Sequence, residues 1–138
     1  MRNTRFLASL YLIYFAATPA LALAETASDF LQQFETAARQ EPGFSGFLPR
    51  RGEILFRSTH GREWSCASCH TLNPTAVGQH AKTNKQIAPL APAANSERFT
   101  RADKVEKWFK RNCNDVLGRA CSAQEKGDVL AYLLSLKK

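Results

Sequence analysis

Past residue 24, the apolar positions of this chain fall into four stretches of helical spacing, interrupted by one long stretch with no period. Phe30, Phe34 and Ala37 recur three and four apart, the repeat of one buried helix face. Thr26 and Asp29, three apart, have the spacing of a capping box, so a helix is predicted from there through about Arg39. Glu41-Pro42-Gly43 stops it. A second helix is predicted from Pro49, a residue suited to a first turn because it lacks the N–H that would go unsatisfied there, to about Arg57. Gly52 and Phe56 share one of its faces. Thr100 and Asp103 repeat the capping pattern before a third helix, from Arg101 to about Cys113, with Val105, Trp108, Phe109 and Asn112 on one stripe. Ser122 and Glu125 repeat it before a fourth, running through Leu136, with Val129, Tyr132, Leu133 and Leu136 as its apolar stripe.

Residues 58–99 carry no such period, and Pro74, Gly78, Pro89 and Pro92 argue against regular structure. A loop that long is uncommon in a compact domain unless it wraps something. Strand signals are nearly absent and nothing repeats, so the pattern predicts an all-α domain.

The first 24 residues read as a leader. Arg2 and Arg5 precede an uncharged stretch from Phe6 to Ala24, which ends in the small-x-small run Ala22-Leu23-Ala24. The apolar length is close to that of a membrane anchor, but Pro19 and the Ala-x-Ala ending favour cleavage after Ala24. The expectation is a signal peptide over 1–24, one domain over 25–138, and a periplasmic location. The net charge is +7, from 19 Lys and Arg against 12 Asp and Glu. The cations cluster at Lys82/Lys85 and at Lys104/Lys107/Lys110/Arg111. Such clusters are ordinarily solvated surface, and the sharper reading is a docking face for an acidic redox partner. No motif supports nucleic-acid binding.

Five residues inside the aperiodic stretch carry the chemistry: Cys66-Ala67-Ser68-Cys69-His70. C-x-x-C-H is the attachment string of a c-type haem. Each thiol adds to one vinyl group, and the following histidine becomes the proximal iron ligand. Zinc would need a second ligand pair at finger-like spacing, whereas Cys113 and Cys121 are eight apart with no paired histidines after them. A thioredoxin-type pair would follow a buried strand, and none is signalled. A disulfide between Cys66 and Cys69 would leave His70 unexplained. One covalently bound haem c is therefore expected, and it is what the long loop would wrap. The only methionine is Met1, so the commonest distal ligand of an electron-carrying cytochrome is missing.

The residues alone leave the sixth ligand open among His60, His80, an asparagine, a lysine and an empty position. His60 lies ten residues before His70 with little slack, and His80 ten after it in the flexible stretch. Asn112 sits on the stripe of Val105, Trp108 and Phe109, the expected haem contacts. An asparagine at that point is ordinarily a helix C-cap, but its stripe points it inward, where a carboxamide needs a partner.

Arg111-Asn112-Cys113-Asn114, Gly118-Arg119 and Cys121 resemble the Sphaeroides haem protein family of oxygen-binding c-type cytochromes. So do Ile87-Ala88-Pro89-Leu90-Ala91-Pro92, Arg98-Phe99-Thr100 and Val105-Glu106-Lys107-Trp108. The likeness is close from Cys66 onward and looser before it. It implies a small cytochrome c fold, with Gly52 and Phe56 crossing Val129 and Tyr132 where the early and terminal helices meet. It implies that Asn112, not Asn114, ligates ferric iron and lets go on reduction, and that Cys113 and Cys121 form a disulfide. It also implies a dihaem cytochrome c as electron donor, linked to a membrane b-type cytochrome. Lys85 and Arg98 are candidates for the haem propionates.

The expected function is to accept an electron and, once reduced, to bind oxygen or another diatomic gas (NO, CO). The rivals are a simple periplasmic electron carrier and a haem enzyme, reducing oxygen or peroxide or acting as a nitric oxide dioxygenase. A carrier gains from coordination that stays constant between redox states, which an asparagine ligand does not give. A peroxidase wants a distal histidine and arginine, for which His80 and Arg111 are the only suspects.

Overall fold

The computed structural model describes residues 25–137; the expected leader and its cleavage site lie outside them. Five helices run α1 (Ala27–Ala38), α2 (Pro49–Arg57), α3 (Cys66–His70), α4 (Ala102–Leu117) and α5 (Ala123–Ser135). Two strands, β1 (Gly78–Gln79) and β2 (Gln86–Ile87), lie between α3 and α4. They pair antiparallel, Gly78 opposite Ile87 and Gln79 opposite Gln86. With the single turn of α3, the hairpin is the regular structure within the segment expected to be irregular, and two residues a side leave the class all-α. No described helix is long and apolar enough to cross a membrane.

Helix α1 begins as predicted. The Thr26 hydroxyl accepts the Asp29 N–H at 3.3 Å, and the Asp29 carboxylate accepts the Thr26 N–H at 2.7 Å. Its buried stripe is Phe30, Phe34 and Ala38, not Ala37. At about 100° per residue the buried arc centres on Phe34, with Phe30 and Ala38 about 40° to either side, and Ala37 falls outside it.

Helix α5 is the hub, packed on both α1 and α2. Its predicted box forms: Ser122 accepts the Glu125 N–H at 3.2 Å, and Glu125 accepts the Ser122 N–H at 2.9 Å. Glu41, from the turn after α1, adds a second cap by accepting the N–H of Ala123 at 2.7 Å. Gly52 of α2 meets α5 backbone to backbone; a Cβ there would overlap the Asp128 carbonyl. One turn on, Phe56 and Tyr132 stand 5.6 Å apart between ring centres. The implied crossing is therefore present, with the glycine against Asp128 and Val129. Asp128 is only 2% exposed, and its carboxylate accepts from the Leu48 N–H at 2.8 Å and from the Arg51 guanidinium. This buried clamp fixes the chain entering α2.

Helix α4 departs from prediction at both ends. No capping box forms: the Thr100 hydroxyl donates to the Glu97 carbonyl at 2.9 Å, and Asp103 is held by the Arg101 guanidinium. Glu25, far away in sequence, accepts the Ala102 N–H at 3.0 Å instead. At the other end the helix runs on past Cys113 to Leu117 and stops at Gly118, whose φ of +73° suits a residue without a Cβ. Asn112 is thus inside the helix rather than capping it.

Candidate haem site

A cavity of about 940 Å³ lies among α2, α3, α4, α5 and the segment between α3 and α4. Helix α3 is one turn nucleated by a capping box absent from the sequence reading. Ser65 accepts the Ser68 N–H at 3.2 Å, and Ser68 accepts the Ser65 N–H at 3.0 Å. Its detectable signal was Ser-x-x-Ser. The turn puts Cys66 and Cys69 at i and i+3, on one face, and both line the cavity together with His70. Both thiols are free. Gly78 lets the hairpin close on this turn, since a Cβ there would overlap the Cys69 carbonyl. The Ala81 N–H reaches the Cys69 sulfur at 3.4 Å.

Burial, with a smaller contribution from the Arg98 charge, lowers the His70 pKa to about 4. The imidazole is therefore neutral at pH 7 and offers a nitrogen lone pair. Burial pushes the Cys66 thiol up to about 11. Among the described residues no three histidine, cysteine, aspartate or glutamate side chains are grouped as a site for a metal ion.

From the opposite end of the sequence, α4 contributes Val105, Trp108, Phe109, Asn112 and Cys113 to the cavity wall. Val105 is buried. Phe109 is half-buried and meets Phe34 edge-on, with ring centres 5.6 Å apart. Trp108 is not inside: it is 46% exposed at the cavity mouth. On a helix with both an inner and an outer edge, the outer edge takes the residue flanked by Lys107 and Arg111. Asn112 lines the cavity, and among the described residues its carboxamide has no hydrogen-bond partner. Cys113 and Cys121 form the expected disulfide, Cα to Cα 5.5 Å, tying α4 just beyond Asn112 to the approach to α5.

The other candidates separate cleanly. His60 is outside the cavity, exposed, with Nε2 2.9 Å from the Leu55 carbonyl. His80 lines the cavity, but its Nδ1 accepts the N–H groups of Lys82 and Thr83, each at 3.3 Å, and so closes the hairpin turn. Lys85 and Arg98 both line the cavity. Arg98 also donates to the carbonyls of Pro89 at 2.9 Å and Ala88 at 2.6 Å, holding the Ile87–Pro92 segment against the site.

These residues fit a haem. Paired thiols, a neutral imidazole and an unpartnered carboxamide line one cavity at the upper end of cofactor-pocket volumes, with Phe56, Leu90, Phe109 and Leu133 as apolar wall.

Comparison with known proteins agrees. A family model described as a domain of unknown function (DUF1924) matches residues 42–133. The cytochrome c-type protein SHP of Cereibacter sphaeroides is 43% identical over 121 residues, 85% of this chain and 89% of that protein. Cytochrome c'' of Methylophilus methylotrophus is 52% identical over 83 residues, 60% of this chain but only 58% of that protein's length. The structure of oxidised SHP, described as an oxygen-binding cytochrome c, superposes with a TM-score of 0.73 at 40% identity, covering 82% of this chain and 99% of that one. Oxidised cytochrome c'' superposes with a TM-score of 0.70 at 41% identity, covering 81% and 95%. The chain thus belongs to the SHP family and is a small helical c-type cytochrome that carries haem c covalently.

Proposed function

We propose that this chain is a periplasmic monohaem cytochrome that accepts an electron, releases Asn112 as a ligand on reduction, and then binds oxygen or another diatomic gas. The observation that carries this reading is the inward-facing Asn112 carboxamide, without a protein partner, on the wall of the cavity that His70 also lines. Bound haem supplies one-electron chemistry at iron and a sixth coordination position. The residues do the rest. Cys66 and Cys69 tether the group, and neutral His70 gives its lone pair as the permanent ligand. The Asn112 oxygen is a hard neutral donor, better matched to ferric than to ferrous iron, so electron arrival favours its departure. The Cys113–Cys121 bridge keeps the Asn112 backbone in place when the side chain leaves.

Two relatives support this. SHP is described as oxygen-binding, and a solution structure of cytochrome c'' (TM-score 0.68, 41% identical) is described as giving insight into haem-ligand detachment in that protein. The single attachment motif supports one haem, and the leader supports export. The proposed donor is a dihaem cytochrome c linked to a membrane b-type cytochrome. A constant-coordination carrier is disfavoured by an oxygen-donor ligand. The test compares oxidised spectra and carbon monoxide uptake of wild type and Asn112→Ala. The variant should turn five-coordinate or water-ligated when oxidised, while both take up carbon monoxide when reduced. Identical oxidised spectra would remove Asn112 from the iron.

A further inference from the structure

The Asn112 carboxamide has two chemically different ends. Its oxygen accepts hydrogen bonds and its nitrogen donates two, and the oxygen is the end that suits ferric iron. Ligation through it needs a neighbour that tells the ends apart. The α4 carbonyls around Asn112 are spent on the helix's own hydrogen-bond ladder. An ionised carboxylate can do it, because it accepts and never donates. Two carboxylates line the cavity, Glu97 and Asp115. Glu97 precedes α4, whose first residue is already about 15 Å of helix rise from Asn112. Asp115 stands three positions on from Asn112 in the same helix, which brings the two Cβ atoms to about 5–6 Å.

Asp115 is also uncommitted. Among the described residues its carboxylate enters no ion pair and no side-chain hydrogen bond. Its natural partner on the helix is Arg111, one turn back, but that guanidinium lies over the Trp108 ring, 5.7 Å from the ring centre. The Asn112 carboxamide has no partner either, and an amide and a carboxylate three apart on a helix make a favourable hydrogen-bonded pair. We propose that Asp115 is the positioning residue for Asn112: its carboxylate accepts from the Asn112 Nδ2–H and leaves the oxygen as the end that faces the iron. The proposal rests on the reading above that Asn112 ligates ferric iron. The bond is charge-assisted. It draws electron density through the amide toward the oxygen, as a carboxylate partner does for a ligating imidazole, so Asp115 strengthens the hard donor and favours the oxidised, ligated state.

The test titrates imidazole, a neutral competitor for the sixth position, into the oxidised haem-loaded protein. Asp115→Leu, which has no acceptor, should let imidazole bind about tenfold more tightly and turn the oxidised spectrum partly high-spin. Asp115→Asn loses the same charge but keeps an acceptor oxygen, so imidazole should gain only about threefold. In an Asn112→Ala background, Asp115→Leu should move neither readout. Equal gains in the leucine and asparagine variants, or the same gain without Asn112, would reduce Asp115 to a charge acting through space and overturn the positioning role. An imidazole affinity in Asp115→Leu equal to wild type would overturn it as well. If Asn112→Ala alone keeps the wild-type oxidised spectrum, the ligation reading fails, and the positioning role fails with it.

Discussion

The α1–α2–α5 scaffold and the α3–α4 cavity wall are built on different principles. The scaffold packs largely on itself: the Gly52–Asp128 backbone contact, the Phe56–Tyr132 pair and the buried Asp128 clamp join α2 to α5, while Phe56 and Leu133 also face the cavity and the buried Tyr132 hydroxyl has no partner among the described residues. The wall does not. Helix α4 is anchored by Val105, buried in one core cluster with Phe30, Phe34 and Leu130, by the Phe34–Phe109 contact, the disulfide, the Lys126–Glu106 ion pair at 2.7 Å and the Glu25 cap. Its remaining inner surface faces the cavity. A wall whose inward groups lack protein partners is completed by its cofactor, and that is where a side chain can change partners without disturbing the core.

This contrast can be broken from either side. The largest effect should come from Gly52→Val, which forces α2 off α5 and should cost more than about 3 kcal/mol in denaturant unfolding of the haem-loaded protein. An unfolding midpoint equal to wild type would show that the two backbones are not in contact. Asp128→Ala should cost nearly as much, about 3 kcal/mol, because it strands the Leu48 N–H and the Arg51 guanidinium. Neither change should alter the ligation of protein that still folds.

The wall should respond the other way. Cys113→Ser/Cys121→Ser should lose about 2–3 kcal/mol from loop closure, yet also change the oxidised spectrum and gas-binding rates, since the bridge is adjacent to Asn112. Loss of stability with both spectroscopic readouts unchanged would reduce the bridge to a staple. The smallest effect concerns Glu125, whose carboxyl is held below its ordinary value by the Arg119 guanidinium and the Ser122 N–H, against its partial burial. Its contribution should be complete above the ordinary carboxylate range and vanish as pH falls through the lowered value. Arg119→Met should flatten that acid limb of the stability curve.

The sequence was most legible where function is covalent or periodic. Cys66, Cys69 and His70 declare themselves by adjacency, and the Gly52/Phe56 face of α2 by spacing; α5 is buried continuously from Gly127 to Leu133 rather than along the expected stripe, because α1 and α2 both pack on it. The structure departed from the simple spacing rules where other groups, near or far in sequence, competed for the same atoms. Glu25 and Arg101 took over the start of α4, so the Thr100/Asp103 box did not form. Gly118, not the weak helix formers around Asn112, set its end. Trp108 turned outward because the helix it shares with Asn112 borders both cavity and solvent. Asp128 was invisible as a core residue because its partners lie far off in sequence, Leu48 at the entry to α2 and Arg51 within it. The Asn112 role came through resemblance; its placement on the cavity wall came from the fold.

The most direct measurement is the coordination state of the wild-type protein reduced under strictly gas-free conditions. The account predicts a five-coordinate, high-spin ferrous spectrum with His70 as the sole axial ligand. A six-coordinate, low-spin ferrous spectrum would mean that Asn112 stays bound, or that His80 or a lysine replaces it, and would contradict the account.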